Sequence, residues 1–588
     1  MYDGDLMQDE KCANILFDIS TLTLGRKETK VFVMSDKAAP MATVEVTLDN
    51  KSSDCEKDLL LKIPGAHCET QVLPLSEDSR SLPTLHYHIN KHLETKIQLQ
   101  VVPTVALVTS GGGSRAMTGM YGLLKGLQNL GLLDALSYMT SLSGSTWSTA
   151  SLYADASWSK DGLDKTIAFS QKELSKSTAS LFSPKQLHSY RTELQNREKE
   201  GHINSAIETW GLIIEYLIFG KKHPGKLSDY RKAVSEGQNP LPIYTAVNTK
   251  KKTCGSVVPE WCEFTPYEVG IPKYGAFVPV EHFGSKFYLG HVVKELPETR
   301  VSIMLGMWSS VFSASLSQLW TNFTGLMPLW VSQLGDKVDP IESDNKATTM
   351  DTMRIMPEAS RLSTLLNKAP TISRFFNFLR GFNLRDTYKE HPGFNACNDA
   401  HPDSFPNKLT PADPILNMVD AGFAIKTPLI PVLRPHRKAD VILCLNYSWA
   451  TDHLLCMKDI QKYCNEQKLP FPKIDFNKYK SQPKEEAYVF EDESNPDAPI
   501  VVLFPLVNAS FKEFKEPGVK RSGKKDMEDG NIDVRSSCSP YATNHLTYTP
   551  EDFQKLLNLT TYNVLNNAAH IKYALKKALN KKGLRLTD

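Results

Sequence analysis

"VVPTVALVTSGGGSRAMTGMYGLLKGLQNLG", residues 101–131, is the stretch from which the fold is read. Its first ten residues are rich in Val and Thr, as strands are, and three glycines then break the run. From Gly113 the apolar residues return at helical spacing. An apolar run, a small-residue turn and a helical stretch recur from "ALSYMTSLSG" (135–144) onward, which is the grammar of an α/β domain. A glycine turn of this kind leaves bare backbone N–H groups at a helix N-terminus, where anions bind. Two functions use such a site. In one, Gly111, Gly113 and Ala116 satisfy the G-x-G-x-x-A of a dinucleotide fold, with Asp134 about twenty residues on as the ribose-binding acid. Asp134, however, precedes the next apolar run instead of closing it. In the other, the N–H groups of Gly112 and Gly113 form an oxyanion hole, and Arg115 offers a cation to a phosphate or carboxylate. A plain turn packing helix on sheet is the third reading, and what lies opposite decides among them.

The run "SLSGSTW" (141–147) holds three serines. A nucleophile elbow is a strained strand-to-helix turn, so the residues two before and two after the serine must be small. Ser143 has Ser141 and Ser145 at those places. Ser141 has Met139 on one side, and Ser145 has Trp147, so Ser143 is the candidate nucleophile. A serine-rich helix cap is the structural alternative. The hydroxyl requires a base. None of the 15 histidines is marked by its surroundings, and His86, His88 and His92 lack metal-ligand spacing. In "NMVDAGFAIKTPLIPVLR" (417–434), Asp420 ends an apolar strand, and Ala421–Gly422 turns sharply enough to present its carboxylate at the sheet's edge. An aspartate with its ordinary pKa of about 3.9 is a poor base. Burial must raise it, and Arg115 must not pair with it.

At 588 residues the chain calls for one large domain with one or two small ones. A net charge of +2 with 23% charged residues excludes the field that nucleic-acid binding requires. Ten scattered cysteines without CxxC pairs, and no N-terminal apolar leader, point to reduced cytosolic thiols. Residues 1–48 alternate as strands do and read as the tail of a β-sandwich; 49–100 form a connector, and the α/β pattern fills 101–588. Val301–Gly335 carries no charge but is broken by Ser, Gln, Asn, Thr, Gly and Pro. It reads as a buried strand followed by an aromatic-rich lid, with Trp308, Trp320 and Trp330 in a half-wet setting, rather than as a membrane span. The charged stretches 336–371 and 514–537 read as loops.

In "GGGSR", "SLSGSTW" and "VDAG" the chain resembles the group IV cytosolic phospholipases A2, with their patatin-like catalytic domain. "WCEFTPYEVGIPKYGAFVPVEHFGSKF", "LGMWSSVFS", "LPFPKID" and "PGV" follow in order, and the likeness runs from about residue 60 to the C-terminus. It sets the dinucleotide reading aside. It implies a three-layer, α/β-hydrolase-like catalytic domain with a lid and interfacial region around 301–371. It implies a histidine-free dyad of Ser143 and Asp420, oxyanion amides at Gly112 and Gly113, and Arg115 on the substrate phosphate. The implied reaction is attack of Ser143 on a glycerophospholipid ester, typically at sn-2, by a cytoplasmic, peripherally membrane-bound enzyme. Water or another acceptor then takes the acyl group from the serine, so a calcium-stimulated N-acyltransferase is the neighbouring alternative. A Ser-His-Asp esterase using His436 or His545 is a further one.

Two departures bear on activity. The usual G-x-S-G-S reads S-L-S-G-S here, and Ser141 would strain the elbow by about 1–2 kcal/mol if its place demands positive φ. Lys426 stands where some members carry Asn. A catalytically impaired lipid-binding protein is the reading that Ser141, together with an incomplete C2 module, favours. Residues 1–48 resemble the last strands of the family's calcium-binding C2 domain, a partial remnant in which "YDGDLMQDE" (2–10) aligns with a calcium loop. Asp3 and Asp5 would be Ca²⁺ ligands there. Ca²⁺ takes about six to eight oxygens, so weak or no calcium binding is expected. At the other end, Lys572, Lys576, Lys577, Lys581, Lys582 and Arg585 form a basic cluster suited to anionic lipid.

Overall fold

The computed structural model describes residues 102–251, 257–312, 372–381, 413–447, 452–480, 482–536, 538–543 and 545–582, and short strands before residue 63. The chain divides into two compact units, Met1–Leu73 with Gly290–Val292, and Pro74–Leu289 with Val293–Asp588.

In the first unit, Lys27–Val33, Met41–Asp49 and Asp58–Lys62 form an antiparallel three-stranded sheet. Its third strand lies beyond residue 48, in what the sequence reads as connector. Asp3 belongs to a two-residue strand, Tyr2–Asp3, paired with Glu10–Lys11, and Asp5 lies outside the described residues.

The second unit is built on a mixed sheet of eleven strands. In chain order these are β1 (Val105–Thr109), β2 (Tyr138–Ser141), β3 (Leu241–Lys251), β4 (Val257–Phe264), β5 (Glu268–Ile271), β6 (Ala276–Pro279), β7 (Ser373–Phe376), β8 (Ile415–Asp420), β9 (Val441–Asn446), β10 (Tyr488–Phe490) and β11 (Ile500–Pro505). The order across the sheet is β6-β5-β4-β3-β2-β1-β9-β11-β10. Strands β3, β2, β1, β9 and β11 are mutually parallel. Val105, Ala106, Leu107 and Val108, with Val441 to Leu445, are almost wholly buried, as central parallel strands covered on both faces must be. The covering helices include α1 (Gly113–Asn129) and α2 (Gly144–Tyr153) between β1, β2 and β3, and α5 (Leu455–Gln467) between β9 and β11. Parallel crossovers are right-handed, so these two sets lie on opposite faces. The chain reverses its winding between β1 and β9, where such sheets open a crevice.

Strand β8 is the unusual member. Along one edge of β3, residues Leu241–Tyr244 pair with β2 in parallel, and Ala246–Asn248 pair with β8 in antiparallel fashion. The two strands therefore share an edge and meet end to end. Ser141, the last residue of β2, lies opposite Tyr244, and Asp420, the last of β8, lies opposite Ala246. Those partners are two positions apart on β3, about 7 Å along the strand.

Two helices fix a third wall, α3 (Ala206–Phe219) and α4 (Val301–Trp308). They cross at Gly211 and Gly306, where a Cβ on Gly306 would lie 2.5 Å from Ile207 O and one on Gly211 would lie 2.5 Å from Ser302 O. This corrects the expected strand at 301: the uncharged run begins as a buried helix, apolar all round because α3, α2, β3 and β8 together enclose it. Trp308 is also not half-wet. It is wholly buried, stacked on Tyr244 at 4.2 Å. Trp320 and Trp330, and the lid from 313 to 371, lie outside the described residues. The stretch 514–537, expected as loop, contains a hairpin (Phe514–Glu516 with Val519–Lys520) and a helix, Lys524–Gly530.

Candidate active site

The three serines take three different roles. Ser141 is the end of β2 and lies in extended backbone, so the strain expected there does not arise. Ser145 Oγ accepts from Leu142 N (3.1 Å), with Thr109 O (3.0 Å) and Leu142 O (2.8 Å) beside it to take its single proton. Ser143 carries the strain instead, at φ 53° and ψ −129° as the residue before α2. A non-glycine residue there costs of order 1–3 kcal/mol and persists only where the surroundings impose it. Here its N–H donates to Trp308 O at 3.0 Å, while its own carbonyl accepts from Thr146 N (2.9 Å) and Thr146 Oγ1 (2.6 Å).

The glycine turn lies directly against this elbow. A Cβ on Gly111 would stand 2.8 Å from Ser143 Cβ and 3.3 Å from Ser143 Oγ. One on Gly144 would stand 2.2 Å from Gly113 O and 2.4 Å from Gly113 N. Gly112 at φ 142° and Gly113 at φ 58° take backbone shapes that suit glycine. The requirement at Gly111 is space, not φ, and sequence reasoning placed that residue only in the dinucleotide pattern, not beside the nucleophile. Ser110 ties the turn to β9: its N–H donates to Leu445 O (3.1 Å), and its Oγ accepts from Tyr447 N (2.7 Å).

Asp420 arrives from the opposite direction and is completely buried. Its Oδ1 accepts from Gly422 N at 2.8 Å, which is the sharp turn expected from Ala421–Gly422. Its own N–H donates to Ser310 Oγ at 3.0 Å. Burial pushes its carboxyl up from 3.8 to about 7, against hydrogen bonds from Gly422, the Ser143 hydroxyl and the Val311 backbone. Ser143 Oγ and Asp420 Oδ2 are both sealed from solvent, yet neither completes a bond of good geometry. The hydroxyl thus lies beside the carboxyl without being aligned on it, as resting catalytic pairs do before substrate tightens them.

Arg115 is buried and held by carbonyls. Its Nε donates to Tyr447 O (2.8 Å), and its Nη1 to Tyr541 O (2.6 Å) and Thr543 Oγ1 (3.1 Å). Its Nη2 borders the glycine turn, 2.9 Å from where a Gly112 Cβ would be. The groups acting on Asp420 include no cation, as a raised carboxyl requires. Neither histidine offered as a base is among the groups acting on Asp420: His545 Nδ1 faces Pro540 O at 3.1 Å, and burial, with Arg434 and Arg437 beside it, holds His436 below its ordinary pKa. Asp134 sits in a single turn, Leu133–Ala135, ahead of β2, where it cannot close a dinucleotide strand. Sequence reasoning missed Trp308, Ser310 and Val311, which touch the dyad from the end of α4 and the short turn after it.

Among the described residues no three His, Cys, Asp or Glu side chains converge as a metal site would. In the C-terminal helix α7 (Ala568–Lys581), Lys577 bonds Glu491 (2.9 Å) and Glu493 (2.8 Å), and Lys582 just beyond it bonds Asp440 (2.7 Å). Part of the basic cluster is therefore neutralised within the molecule; Arg585 lies outside the described residues.

A family model described as Lysophospholipase catalytic domain matches residues 105–455. The chain is 35% identical over 585 residues to cytosolic phospholipase A2 delta of Homo sapiens, covering 98% of this chain and 70% of that protein. It is 40% identical over 592 residues to cytosolic phospholipase A2 epsilon of Homo sapiens, covering 98% of this chain and 65% of that one. The solved structure of human GIVD cytosolic phospholipase A2 matches with a TM-score of 0.76 at 30% identity, over 99% of this chain and 90% of that chain. The same human protein in complex with methyl gamma-linolenyl fluorophosphonate matches with a TM-score of 0.68 at 32% identity, over 95% and 71%.

Proposed function

Because the chain belongs to the cytosolic phospholipase A2 family, we propose that it hydrolyses acyl esters of glycerophospholipids, typically at sn-2, through Ser143 and Asp420. The observation that carries this reading is a strained, buried serine hydroxyl beside a buried carboxyl whose pKa lies at about 7. A base poised near the working pH is the efficient one. Ser143 Oγ attacks the ester carbonyl as its proton passes to Asp420, and the C–O bond formed puts negative charge on the carbonyl oxygen. The amides of Gly112 and Gly113 stabilise that charge. Collapse breaks the bond to the glycerol oxygen, which leaves with the proton from Asp420 as lysophospholipid. Water then attacks the acyl-serine, giving its proton to Asp420, and fatty acid departs as Ser143 recovers its hydrogen. Arg115, rigid at the mouth of the turn, takes the substrate phosphate.

An impaired enzyme loses one support, since Ser141 is unstrained and the only strain at the elbow lies on the nucleophile itself. Acyl transfer to an alcohol or amine differs only in what replaces water in the second half. No described helix is long and apolar enough to cross a membrane, and the proposed contact with anionic lipid is peripheral, through the C-terminal basic residues. For Ca²⁺, the two aspartates Asp3 and Asp5 fall short of its set of about six to eight oxygens, so no step is assigned to it.

The test is covalent trapping. A fluorophosphonate should add its phosphonyl group to Ser143 Oγ with loss of fluoride, seen by mass spectrometry on the peptide holding Ser143. Phospholipid turnover should vanish in Ser143→Ala and Asp420→Ala. Full turnover by either variant, or labelling elsewhere, would sink the dyad.

A further inference from the structure

The turn after α4 reaches both members of the proposed dyad. Trp308 O accepts from Ser143 N (3.0 Å), Ser310 Oγ accepts from Asp420 N (3.0 Å), and the Val311 backbone faces the Asp420 carboxyl closely enough to help hold its pKa down. Three residues of one short segment, Trp308, Ser310 and Val311, therefore bridge the abutting ends of β2 and β8, a junction that no continuous ladder spans. Ser310 is wholly buried, and its hydroxyl is an acceptor offered to a strand terminus rather than to a helix or a cap.

We infer that Ser310 is a positioning residue for the reaction: its hydroxyl pins the backbone of Asp420 to the Trp308–Val311 segment, which also pins Ser143, so one short turn sets the distance between base and nucleophile. This rests on the dyad proposed above. Without the Ser310 acceptor, the end of β8 keeps its ladder to β3 but loses its tie across the junction. The carboxyl then moves toward water and away from the hydroxyl. Misplacement of about 1 Å at a reacting pair costs up to about a hundredfold in rate. The groups acting on Asp420 are its burial, Gly422, Ser143 and Val311, all uncharged, so any change in its titration reports position and not a nearby charge.

The experiment is the pH profile of kcat for the full chain in Ser310→Ala, with Ser309→Ala as control. Ser309 is the adjacent buried serine, whose hydroxyl meets Leu305 O (2.6 Å) and Trp210 Nε1 (3.2 Å) and neither dyad residue. Ser310→Ala should lower kcat about tenfold or more with KM little changed, and move the rising limb toward acid by about one pH unit. Ser309→Ala should keep the wild-type limb. If Ser310→Ala does not fold, Ser310→Cys keeps the volume with a poor acceptor and should show the same loss and acid shift, while Ser310→Thr, which keeps the hydroxyl, should recover most of kcat. An unchanged limb and kcat in the folded variant, or equal losses in Ser309→Ala, overturn the inference. Failure of wild type to label at Ser143 is a different result and refutes the dyad instead.

Discussion

Ser143 holds its positive φ with its hydroxyl close against Gly111, where any side chain would crowd it. Gly111→Ala tests this directly, because Gly111 does not need positive φ and the atoms nearest a methyl there belong to Ser143 and Leu142. Crowding should cost about 1–3 kcal/mol of stability and, by displacing Oγ, on the order of a hundredfold in kcat, read by thermal unfolding and steady-state turnover. Asp420 gives a second test with a definite sign. Its carboxyl pKa is raised from 3.8 to about 7, so between those values the folded protein holds a proton that the unfolded chain has released. Stability therefore falls as pH rises through that window, and the whole cost, on the order of a few kcal/mol, stands above pH 7. Asp420→Asn should lose activity yet raise the melting temperature at pH 8, with the gain vanishing below about pH 4. Wild-type kcat should rise with pH on a single limb centred near 7. A melting temperature that is not raised at pH 8 would mean that the carboxyl is not carrying that burden.

Helices α3 and α4 touch backbone to backbone at Gly211 and Gly306, and that contact sets where Trp308 O meets Ser143. Gly306→Ala would place a methyl 2.5 Å from Ile207 O, and rigid backbone cannot step aside as a side chain can. The variant should lose about 1–3 kcal/mol and also lose turnover, although its mutation lies one turn or so from any reacting atom. Unaltered kcat in a destabilised Gly306→Ala would uncouple the crossing from the site. The same element shows where the sequence stops being readable. The glycine turn, the elbow and the Asp420 turn are local devices, and small residues at fixed offsets announce them. Val301–Trp308 is a short apolar run of the kind whose period does not separate a buried helix from a strand, and it proved to be helix. The head-on meeting of β2 and β8 is set by which stretch of one β3 edge each one claims, a long-range choice that leaves no mark in "SYMTS" or "ILNMVD". Ser310 was invisible for the same reason: nothing about a serine among serines says that its partner lies 110 residues away.

Across the whole catalytic unit, the C-terminal helix does more than carry charge. On α7, Ile571, Ala574, Leu575, Ala578 and Leu579 are buried, and the helix packs on β9 and β11. Lys582 then bonds Asp440 and Val102 O (3.3 Å), and Asp440 in turn accepts from Thr104 N (2.7 Å) ahead of β1. The last described residue of the chain thus clasps the start of the central strands, whose far ends hold the glycine turn and Tyr447. If 568–588 were only a basic tail, its removal would weaken vesicle binding and leave turnover of a soluble ester intact. The burial argues otherwise. Deleting those residues strips five apolar side chains, each contributing about 1–3 kcal/mol for the larger ones, from a fold whose total margin is about 5–15 kcal/mol. The deleted form should therefore unfold at much lower temperature or fail to accumulate. Lys577→Gln with Lys582→Gln, which removes the ion pairs and keeps the apolar face, should cost no more than about 1–2 kcal/mol, because partly exposed pairs are weak. Because both lysines are already engaged with carboxylates, the same double variant should bind anionic vesicles within about threefold of wild type in a sedimentation assay. A collapse of vesicle binding there, with the melting temperature unmoved, would show that these two lysines leave their carboxylates for lipid and join the rest of the basic cluster in that contact.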